Sequence, residues 1–209
     1  MVSLRRVLVV LATLLAGATA GLVGSASASI STCSFGALSL PLLGLGDLNP
    51  YFLAPGANFE GSLSAWNLSG GASVASGNES WKVGAPTDSH SLALPTTSTA
   101  ATTPTFCVTT SAPTFRMFIK NNGNNGYTNG QLAVYLNFTG PDGHTQQVKI
   151  AALTVKSTAW TLTPPISFIQ YLSTPLKTGL ANISFTIKPN DNHGNWQIDD
   201  IYVDPWKVV

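Results

Sequence analysis

The stretch of sequence that decides the fold lies in the middle of the chain, at residues 114–121, and reads TFRMFIKN. Between residues 115 and 120 the odd positions are all apolar, which predicts that Phe115, Met117 and Ile119 face a core. The even positions are predicted to face the other side; they are Arg116, Phe118 and Lys120. Strict alternation over a stretch of this length is typical of a β-strand with one buried face.

Two further stretches alternate with the same period of two. The inward residues are Leu132, Val134, Leu136 and Phe138 in the first stretch and Ile183, Phe185 and Ile187 in the second. The outward residues are Tyr135 and Asn137, followed by Ser184, Thr186 and Lys188. These outward faces combine aromatic rings with amide, hydroxyl and cationic groups, a composition that suits the binding of a sugar. An ordinary solvated sheet also has mixed outward residues, so that alternative stays open.

Strand signals recur along most of the chain and are separated by clusters of Gly, Asn, Asp and Pro. The predicted strands are 58–68, 72–76, 81–83, 89–94, 105–109, 114–121, 131–138, 147–155, 159–163, 183–188 and 196–203. The cluster at 190–194 is predicted to be a hairpin turn. After the first residues no segment shows the periodicity of an α-helix, and only 167–176 is ambiguous. The sequence therefore predicts an antiparallel sandwich or barrel.

The first 28 residues have the layout of a cleavable secretory signal. Arg5 and Arg6 precede an apolar run from Val7 to about Ala16, and small residues lead to Ala28. The run is shorter than the roughly 20 residues that cross a membrane. We therefore predict a secreted chain that is cleaved near Ala28 and has no stable membrane span in its mature form.

Charge and length limit the function classes. Cleavage removes two of the ten Lys and Arg residues, so that eight remain against nine Asp and Glu. A nearly neutral chain whose remaining arginine is Arg116, without a basic cluster, is a poor nucleic-acid binder. The mature chain suffices for one domain with a full core. The predicted organisation is a signal peptide at 1–28, an extended lead-in at 29–57 and a β-sandwich at 58–206. The apolar residues of the lead-in are predicted to cover an edge or an end of the core; they are Leu40, Leu43, Leu45, Tyr51 and Phe52.

The sequence contains two cysteines, Cys33 and Cys107. Because an exported chain meets an oxidising compartment, we predict that they form a disulfide. Closing a loop of this length stabilises a fold by about 4 kcal/mol on the chain-entropy model. The alternative is two free thiols, and neither cysteine has a nearby histidine that would favour a nucleophilic role.

Motifs of hydrolytic or lytic chemistry are missing from the sequence. There is no G-x-S-x-G, no pair of histidines at metal-ligand spacing and no phosphate-binding glycine loop. The three histidines, His90, His144 and His193, are isolated from one another. His90 and the nearby Asp88 are interpreted as a structural hydrogen-bonded pair. Catalysis would require a cleft in which His90, Asp88 and Glu79 converge within hydrogen-bond reach.

Three motifs, taken in order, resemble the galactose-binding-domain-like jelly rolls. They are NFEG at 58–61 with Trp66 after it, SHSLAL at 89–94 and WQIDDIYV at 196–203. Carbohydrate-binding modules attached to secreted glycoside hydrolases are the best-known members of that superfamily. From Cys33 onward the chain is also similar to a group of uncharacterised secreted bacterial proteins. The resemblance implies an all-β, antiparallel jelly-roll β-sandwich.

In that superfamily the first and last strands usually lie together, and a structural calcium commonly lies beside them. The matching positions are Glu60 and one of Asp199 or Asp200, and Glu60 is expected to tie the first strand to the last. An independent reason is that strict alternation would place Asp199 and Asp200 on opposite faces, so either a bulge occurs or one carboxylate points inward. A buried carboxylate needs compensation, either by a hard cation or by backbone N–H groups. The candidates for further oxygen ligands of the calcium are Asp47, Asn58 and Asp204.

The sequence predicts a secreted, non-catalytic binding module whose partner is a carbohydrate or cell-wall polymer. The expected ligand face bears Arg116, Phe118, Lys120, Tyr135, Asn137 and Lys188, with Trp81, Tyr127 and Tyr171 as loop aromatics. The tryptophans assigned to the core are Trp66, Trp160 and Trp196. Two alternatives remain, an extracellular structural or protein-interaction domain and a jelly-roll glycan hydrolase or lyase.

Overall fold

Two antiparallel sheets, of seven and six strands, form a sandwich in the computed structural model. The structure describes residues 36–109, 114–123, 129–140, 142–155, 158–172 and 180–204, all of which lie in the unit Cys33–Val209. The helical elements in these ranges are two 3-10 turns, Leu43–Leu45 and Ile169–Leu172. Within the same ranges, a helix of the length and apolarity needed to cross a membrane is not found.

The first and last strands lie together in the seven-stranded sheet. Its strands are β1 (Phe52–Leu53), β3 (Ser73–Ser76), β4 (His90–Leu94), β7 (Thr114–Asn121), β10 (Thr161–Leu162), β11 (Ile166–Ser167) and β13 (Trp196–Asp204). Their order is β10-β7-β13-β4-β3, with β1 paired to β13 and β11 paired to β7. Phe52 of β1 is opposite Val203 of β13, so the end of the predicted lead-in is itself a strand of this sheet.

The second sheet has six strands. They are β2 (Asn67–Ser69), β5 (Ala100–Thr102), β6 (Phe106–Thr109), β8 (Gln131–Thr139), β9 (Thr145–Thr154) and β12 (Leu180–Pro189). Their order is β2-β5-β12-β8-β9, with β6 paired to β12. The long strands β12, β8 and β9 are neighbours, and together they make the broadest part of this sheet.

The core between the sheets is built from the inward residues of the alternating strands. Every inward residue predicted for β7, β8 and β12 is buried there, which confirms the alternation read from the sequence. The rings of Phe115 and Phe185 stack across the two sheets with centroids 4.3 Å apart. Trp66 and Trp196 are buried as expected, whereas Trp160 is only partly buried and lies outside this core.

A second apolar cluster lies on the outer face of the seven-stranded sheet. Its buried members are Leu42, Tyr51, Phe118 and Tyr202. Residues 36–51 run over this face, where the backbones of Ser39 and Tyr51 bond to each other. The prediction that Phe118 belongs to an open ligand face is therefore wrong. The side chain does point away from the main core, but the lead-in covers it. Periodicity indicates only which face of the sheet a side chain is on, and not whether that face is exposed.

Three local predictions from the strand pattern are wrong. Residues 58–68 form a loop that ends in the short strand β2, and Phe59 has a positive φ of 56° that no regular strand accepts. Residues 81–83 form a turn rather than a strand. Residues 190–194 connect β12 to β13, which belong to different sheets, so they are not a hairpin turn.

Candidate functional site

The predicted ligand residues are divided between the outer faces of two different sheets. On the seven-stranded sheet β7 carries Arg116, Phe118 and Lys120. On the six-stranded sheet β8 and β12 carry Tyr135, Asn137 and Lys188. The single surface expected from the sequence is therefore not formed. The reason is that the chain crosses from one sheet to the other between β7 and β8, which no local pattern indicates.

Arg116 is bound by the lead-in. Its Nη1 donates to Asp47 Oδ2 at 2.7 Å, and its Nε donates to the Thr163 carbonyl at 2.9 Å. Asp47 also accepts the Tyr51 hydroxyl at 2.6 Å and the backbone N–H of Asn49 at 3.0 Å. Burial alone would raise the pKa of Asp47, but these donors hold it below its usual value. Arg116 thus fastens the lead-in to the sheet and is not available to a ligand.

Two aromatic side chains remain partly open on the same face. Trp81 is 47% exposed, and its ring lies 5.4 Å from the buried Phe118 ring. Lys120 Nζ lies 5.9 Å from the centre of the Trp160 ring. These residues lie on the other side of the sandwich from Tyr135. Of the remaining loop aromatics, Tyr171 is partly buried against the main core and Tyr127 lies outside the described residues.

The outer face of the six-stranded sheet is open at its centre. Tyr135 is half-buried, and Lys188 Nζ lies 4.8 Å from the centre of its ring. Lys149 on β9 is directly opposite Tyr135 and is exposed. Lys149 was not among the residues predicted from the sequence. Gln147 and Lys149 do alternate with apolar neighbours, but a register shift beside Tyr135 interrupts the pattern of β9.

A row of polar side chains crosses this face next to Tyr135. Asn137 Nδ2 donates to Thr186 Oγ1 at 2.9 Å and to Ser184 Oγ at 3.2 Å. Gln147 Nε2 donates to Asn137 Oδ1 at 2.7 Å, and the Thr102 and Thr186 hydroxyls are 2.8 Å apart. The row therefore spans four strands from β9 to β5 and is held in place by its own bonds. Beside it is a shallow depression of about 100 Å³, lined in part by Asn137, Asn182 and Ser184.

Glu60 binds the start of β4, not the last strand. Its Oε1 accepts the backbone N–H groups of Ser89 and His90, each at 2.6 Å. Its Oε2 is 2.9 Å from His90 Nδ1. Burial tends to raise the pKa of Glu60, but the His90 ring and the two amides outweigh it and lower the pKa. The expectation that Glu60 ties the first strand to the last is wrong, because its carboxylate contacts Ser89 and His90 at the start of β4.

The pair Asp199 and Asp200 is accommodated by a bulge, which is one of the two alternatives that the sequence left open. The register between β13 and β7 shifts between Asp199 and Tyr202, and Asp200 has a positive φ of 46°. Asp199 is fully buried, and its two oxygens accept the backbone N–H groups of Glu79 and Asp200, each at 3.0 Å. Burial, together with the neighbouring Asp200, raises the pKa of Asp199 to about 9.

Asp200 is fully buried, and neither of its carboxylate oxygens has a hydrogen-bond partner. Asp88 borders the same space, since a Cβ on Gly84 would lie 2.5 Å from Asp88 Oδ2 and 3.5 Å from Asp200 Oδ1. Burial, then repulsion from Glu79 and Asp88, raises the pKa of Asp200 to about 7. A buried carboxyl group with acidic neighbours and no donor is stabilised either by taking up a proton, which its raised pKa favours, or by a compensating cation.

The metal-ligand set predicted from the sequence is not brought together. Glu60 and Asp199 are occupied by backbone N–H groups, and Asp47 belongs to the Arg116 contact. Among the described His, Cys, Asp and Glu side chains, no three are arranged to hold a metal ion. Asp200 is the member of the predicted set whose oxygens remain open. Any metal here would need Asp200, its neighbour Asp88 and backbone carbonyls as ligands.

The three residues named for catalysis bind separate partners. His90 contacts Glu60, Asp88 accepts the N–H of Ala85, and the Glu79 carboxylate accepts the N–H groups of Trp81 and Val83. His90 is therefore paired with Glu60 and not with Asp88 as the sequence suggested. The predicted disulfide stays a prediction, because Cys107 lies in β6 but Cys33 is outside the described residues.

No protein-family model matches the chain, and no curated protein matches it. Among solved structures, the chain is similar to one of the N-terminal endo-1,4-β-D-xylanase 10B of Clostridium thermocellum. That structure contains the CBM22-1 and GH10 modules of the xylanase in complex with xylohexaose. The TM-score is 0.51 at 14% identity, over 71% of this chain and 27% of that one. The fold is a jelly-roll β-sandwich. The fold class predicted from the sequence is thereby confirmed, and the chain spans about a quarter of that xylanase structure.

Two more distant likenesses are to isolated modules. A xylan-binding domain from CBM 22 has a TM-score of 0.46 at 18% identity, over 73% of this chain and 95% of that chain. TmCBM61, in complex with β-1,4-galactotriose, has a TM-score of 0.38 at 18% identity, over 72% of this chain and 96% of that chain.

Proposed function

We propose that this chain is a secreted, non-catalytic module that binds an extracellular polysaccharide on the outer face of its six-stranded sheet. The observation that carries the proposal is the contrast between the two outer faces. The lead-in and the Arg116–Asp47 pair cover the seven-stranded sheet, whereas long strands with partly exposed polar side chains make up the other face. A long open sheet face suits an extended polymer better than a small molecule, which prefers a deep cavity.

The chemistry of the open face supports a sugar ligand. Tyr135 offers an aromatic ring and a hydroxyl at the centre, and aromatic rings pack against the C–H faces of sugars. Around it lie hydroxyl and amide groups that are already ordered by their mutual hydrogen bonds, so that binding orders little further. The fold is shared with xylanase modules solved with xylohexaose, which fits a polysaccharide ligand without identifying it.

Binding without catalysis is favoured by the placement of the titratable side chains. The acids close to one another lie at the buried bulge of β13, on the other side of the sandwich from Tyr135. The hydroxyl-rich row around Asn137 contains neither a carboxylate nor an imidazole to serve as acid or base. Export is supported by the signal-like residues 1–28, which lie outside the described ranges.

We further propose that a structural calcium ion lies beside Asp200. The fit rests on two open carboxylate oxygens in a buried position, with Asp88 bordering the same space beside Gly84. Asp200 and Asp88 would bind the ion, and backbone carbonyls would supply further oxygen ligands of the kind that calcium prefers. The ion would supply positive charge to an otherwise uncompensated acidic bulge, and it would have no part in ligand binding.

The proposed function is tested by retention of the mature protein on immobilised polysaccharides, alongside a Tyr135→Ala variant. We expect retention on at least one polymer and its loss in the variant, because Tyr135 is at the centre of the open face. The matched control is Trp81→Ala, which removes an exposed aromatic ring from the opposite sheet and should leave retention unchanged. Wild-type protein that is retained by none of the polymers, or a Tyr135→Ala variant that is retained normally, would overturn the proposal.

A further inference from the structure

The acidic residues of this chain lie mostly with one of its two sheets. The six strands of the six-stranded sheet contain two charged residues, Lys149 and Lys188, and no acid. Seven of the nine acids lie in the other sheet or in the segments next to it; they are Asp47, Glu60, Glu79, Asp88, Asp199, Asp200 and Asp204. The other two acids, Asp142 and Asp191, lie in connections at the ends of the six-stranded sheet's own strands. The centre of the open face, around Tyr135, is thus locally positive.

Both lysines lie beside the same aromatic ring. Lys149 on β9 is paired directly with Tyr135, and Thr186 on β12 is paired with Tyr135 from the other side. Lys188 follows Thr186 by two residues and so is on the same face, at the diagonal position. A ligand that contacts Tyr135 therefore has an ammonium group on each side.

The position of one ammonium group is set by the ring itself. Lys188 Nζ lies 4.8 Å from the centre of the Tyr135 ring, which attracts a cation to its face. The Lys188 side chain is half-buried, whereas that of Lys149 is exposed. The ion pairs among the described residues join His90 to Glu60 and Arg116 to Asp47, so neither lysine is neutralised by a carboxylate. Two unpaired cations remain beside the ring to which the sugar is proposed to bind.

We propose that the polymer bound on this face is acidic, with a carboxylate or sulfate group on its sugar units. This inference rests on the proposed function and adds the charge of the ligand to it. A neutral polymer would leave both ammonium groups without an ionic partner, whereas an acidic sugar receives charge-assisted hydrogen bonds from them. Because the face is open to solvent, salt screens this attraction, and affinity for the acidic polymer falls as ionic strength rises.

The test compares polymers that differ only in charge. One arm uses polygalacturonic acid against its methyl ester, which removes the carboxylate charge, and the other uses dextran sulfate against dextran. Affinity is measured by gel electrophoresis in the presence of each soluble polymer. We expect at least one charged polymer to bind about tenfold more tightly than its neutral partner, and the arm in which this occurs identifies carboxylate or sulfate.

A double variant, Lys149→Gln with Lys188→Gln, is expected to lose that preference of about tenfold and to keep its fold, since both substitutions are at the surface. The matched control is Lys120→Gln, which removes a lysine above an aromatic ring on the opposite sheet and should keep the preference.

Equal binding of charged and neutral polymers, with loss of both in Tyr135→Ala, would overturn the acidic ligand and leave the proposed function standing. A preference that survives the double variant, or that Lys120→Gln abolishes equally, overturns the inference as well. Absence of binding to every polymer overturns both proposals.

Discussion

Phe118 stabilises the protein from the outer face of the seven-stranded sheet. Its side chain is fully buried among Leu42, Tyr51 and Tyr202, and the Trp81 ring packs on it. This cluster is separate from the core between the sheets, yet it removes a whole aromatic ring from water. Its energetic weight is therefore that of a core residue, although the strand pattern places it on the outer side.

Replacing Phe118 by Ala is expected to lower the free energy of unfolding by about 3–5 kcal/mol, the usual cost of deleting a buried Phe ring. Urea denaturation followed by tryptophan fluorescence measures the change. The control is Trp81→Ala, which removes a half-exposed ring from the same contact and should cost about 1 kcal/mol. Similar small losses in both variants would contradict the burial of Phe118 beneath the lead-in.

Asp200 combines three unfavourable features at one position. The carboxylate is buried, its oxygens are unpaired, and its backbone is in the left-handed region that disfavours non-glycine residues. Strain of this kind costs of the order of 1–3 kcal/mol and persists only where the surroundings enforce it. The proposed cation would offset this cost by compensating the buried charge.

At the scale of elements, the lead-in behaves as a strap over the seven-stranded sheet. It is fastened at one end by β1 on β13 and along its length by Leu42 and by the Arg116–Asp47 pair. Asp47 accepts three donors from the strap and the sheet together, so a single carboxylate organises the contact. The pair is largely shielded from solvent, and it therefore contributes more than a typical surface ion pair.

Asp47→Asn is expected to lower the melting temperature at neutral pH, with the gap to wild type closing as the pH is lowered. The pKa of Asp47 is lowered in the folded state, so its contribution is fully present above the pKa of the unfolded chain. That contribution is lost as the pH falls through the lower pKa of the folded state. Thermal melts between about pH 7 and pH 2 measure the gap.

Asp142→Asn, in the exposed turn between β8 and β9, is the matched control for this series, since Asp142 takes part in neither ion pair found among the described residues. Its melting temperature should follow that of wild type at every pH. A gap between wild type and Asp47→Asn that stays constant down to the lowest pH would show that the charge of Asp47 does not fasten the strap.

At the scale of the whole molecule, the two sheets have different proposed roles, one in stability and the other in ligand binding. The seven-stranded sheet carries the strap, the acidic bulge and the second apolar cluster, and it serves stability. The six-stranded sheet leaves a polar, basic face open and is proposed to serve binding. Calcium would then act on the global stability and leave the ligand face unchanged, because the bulge and Tyr135 are on different sheets.

Removal of calcium is expected to lower the melting temperature of the wild-type protein by about 5–10 °C, as estimated for a saturating ligand on a domain of this size. Scanning calorimetry in excess calcium and in chelator measures the shift. Asp200→Asn should give the same melt in both conditions and, in chelator, should be at least as stable as wild type. A wild-type melt that does not respond to chelator would contradict the calcium site, and retention on a polysaccharide should be unaffected in either case.

Alternation with a period of two determined the inward residues of β7, β8 and β12, because the side-chain direction in a strand is a local property of the backbone. The adjacent acids of β13 narrowed that position to a bulge or an inward carboxylate, since two neighbouring residues cannot both leave a regular strand on the same side. Only the tertiary structure decided which sheet each strand joins, and so it separated Arg116 from Tyr135. It also decided that Leu42 and Tyr51 cover Phe118, and that Glu60 binds β4. Those outcomes depend on contacts between residues far apart in the chain, and such contacts leave no periodic trace in the sequence.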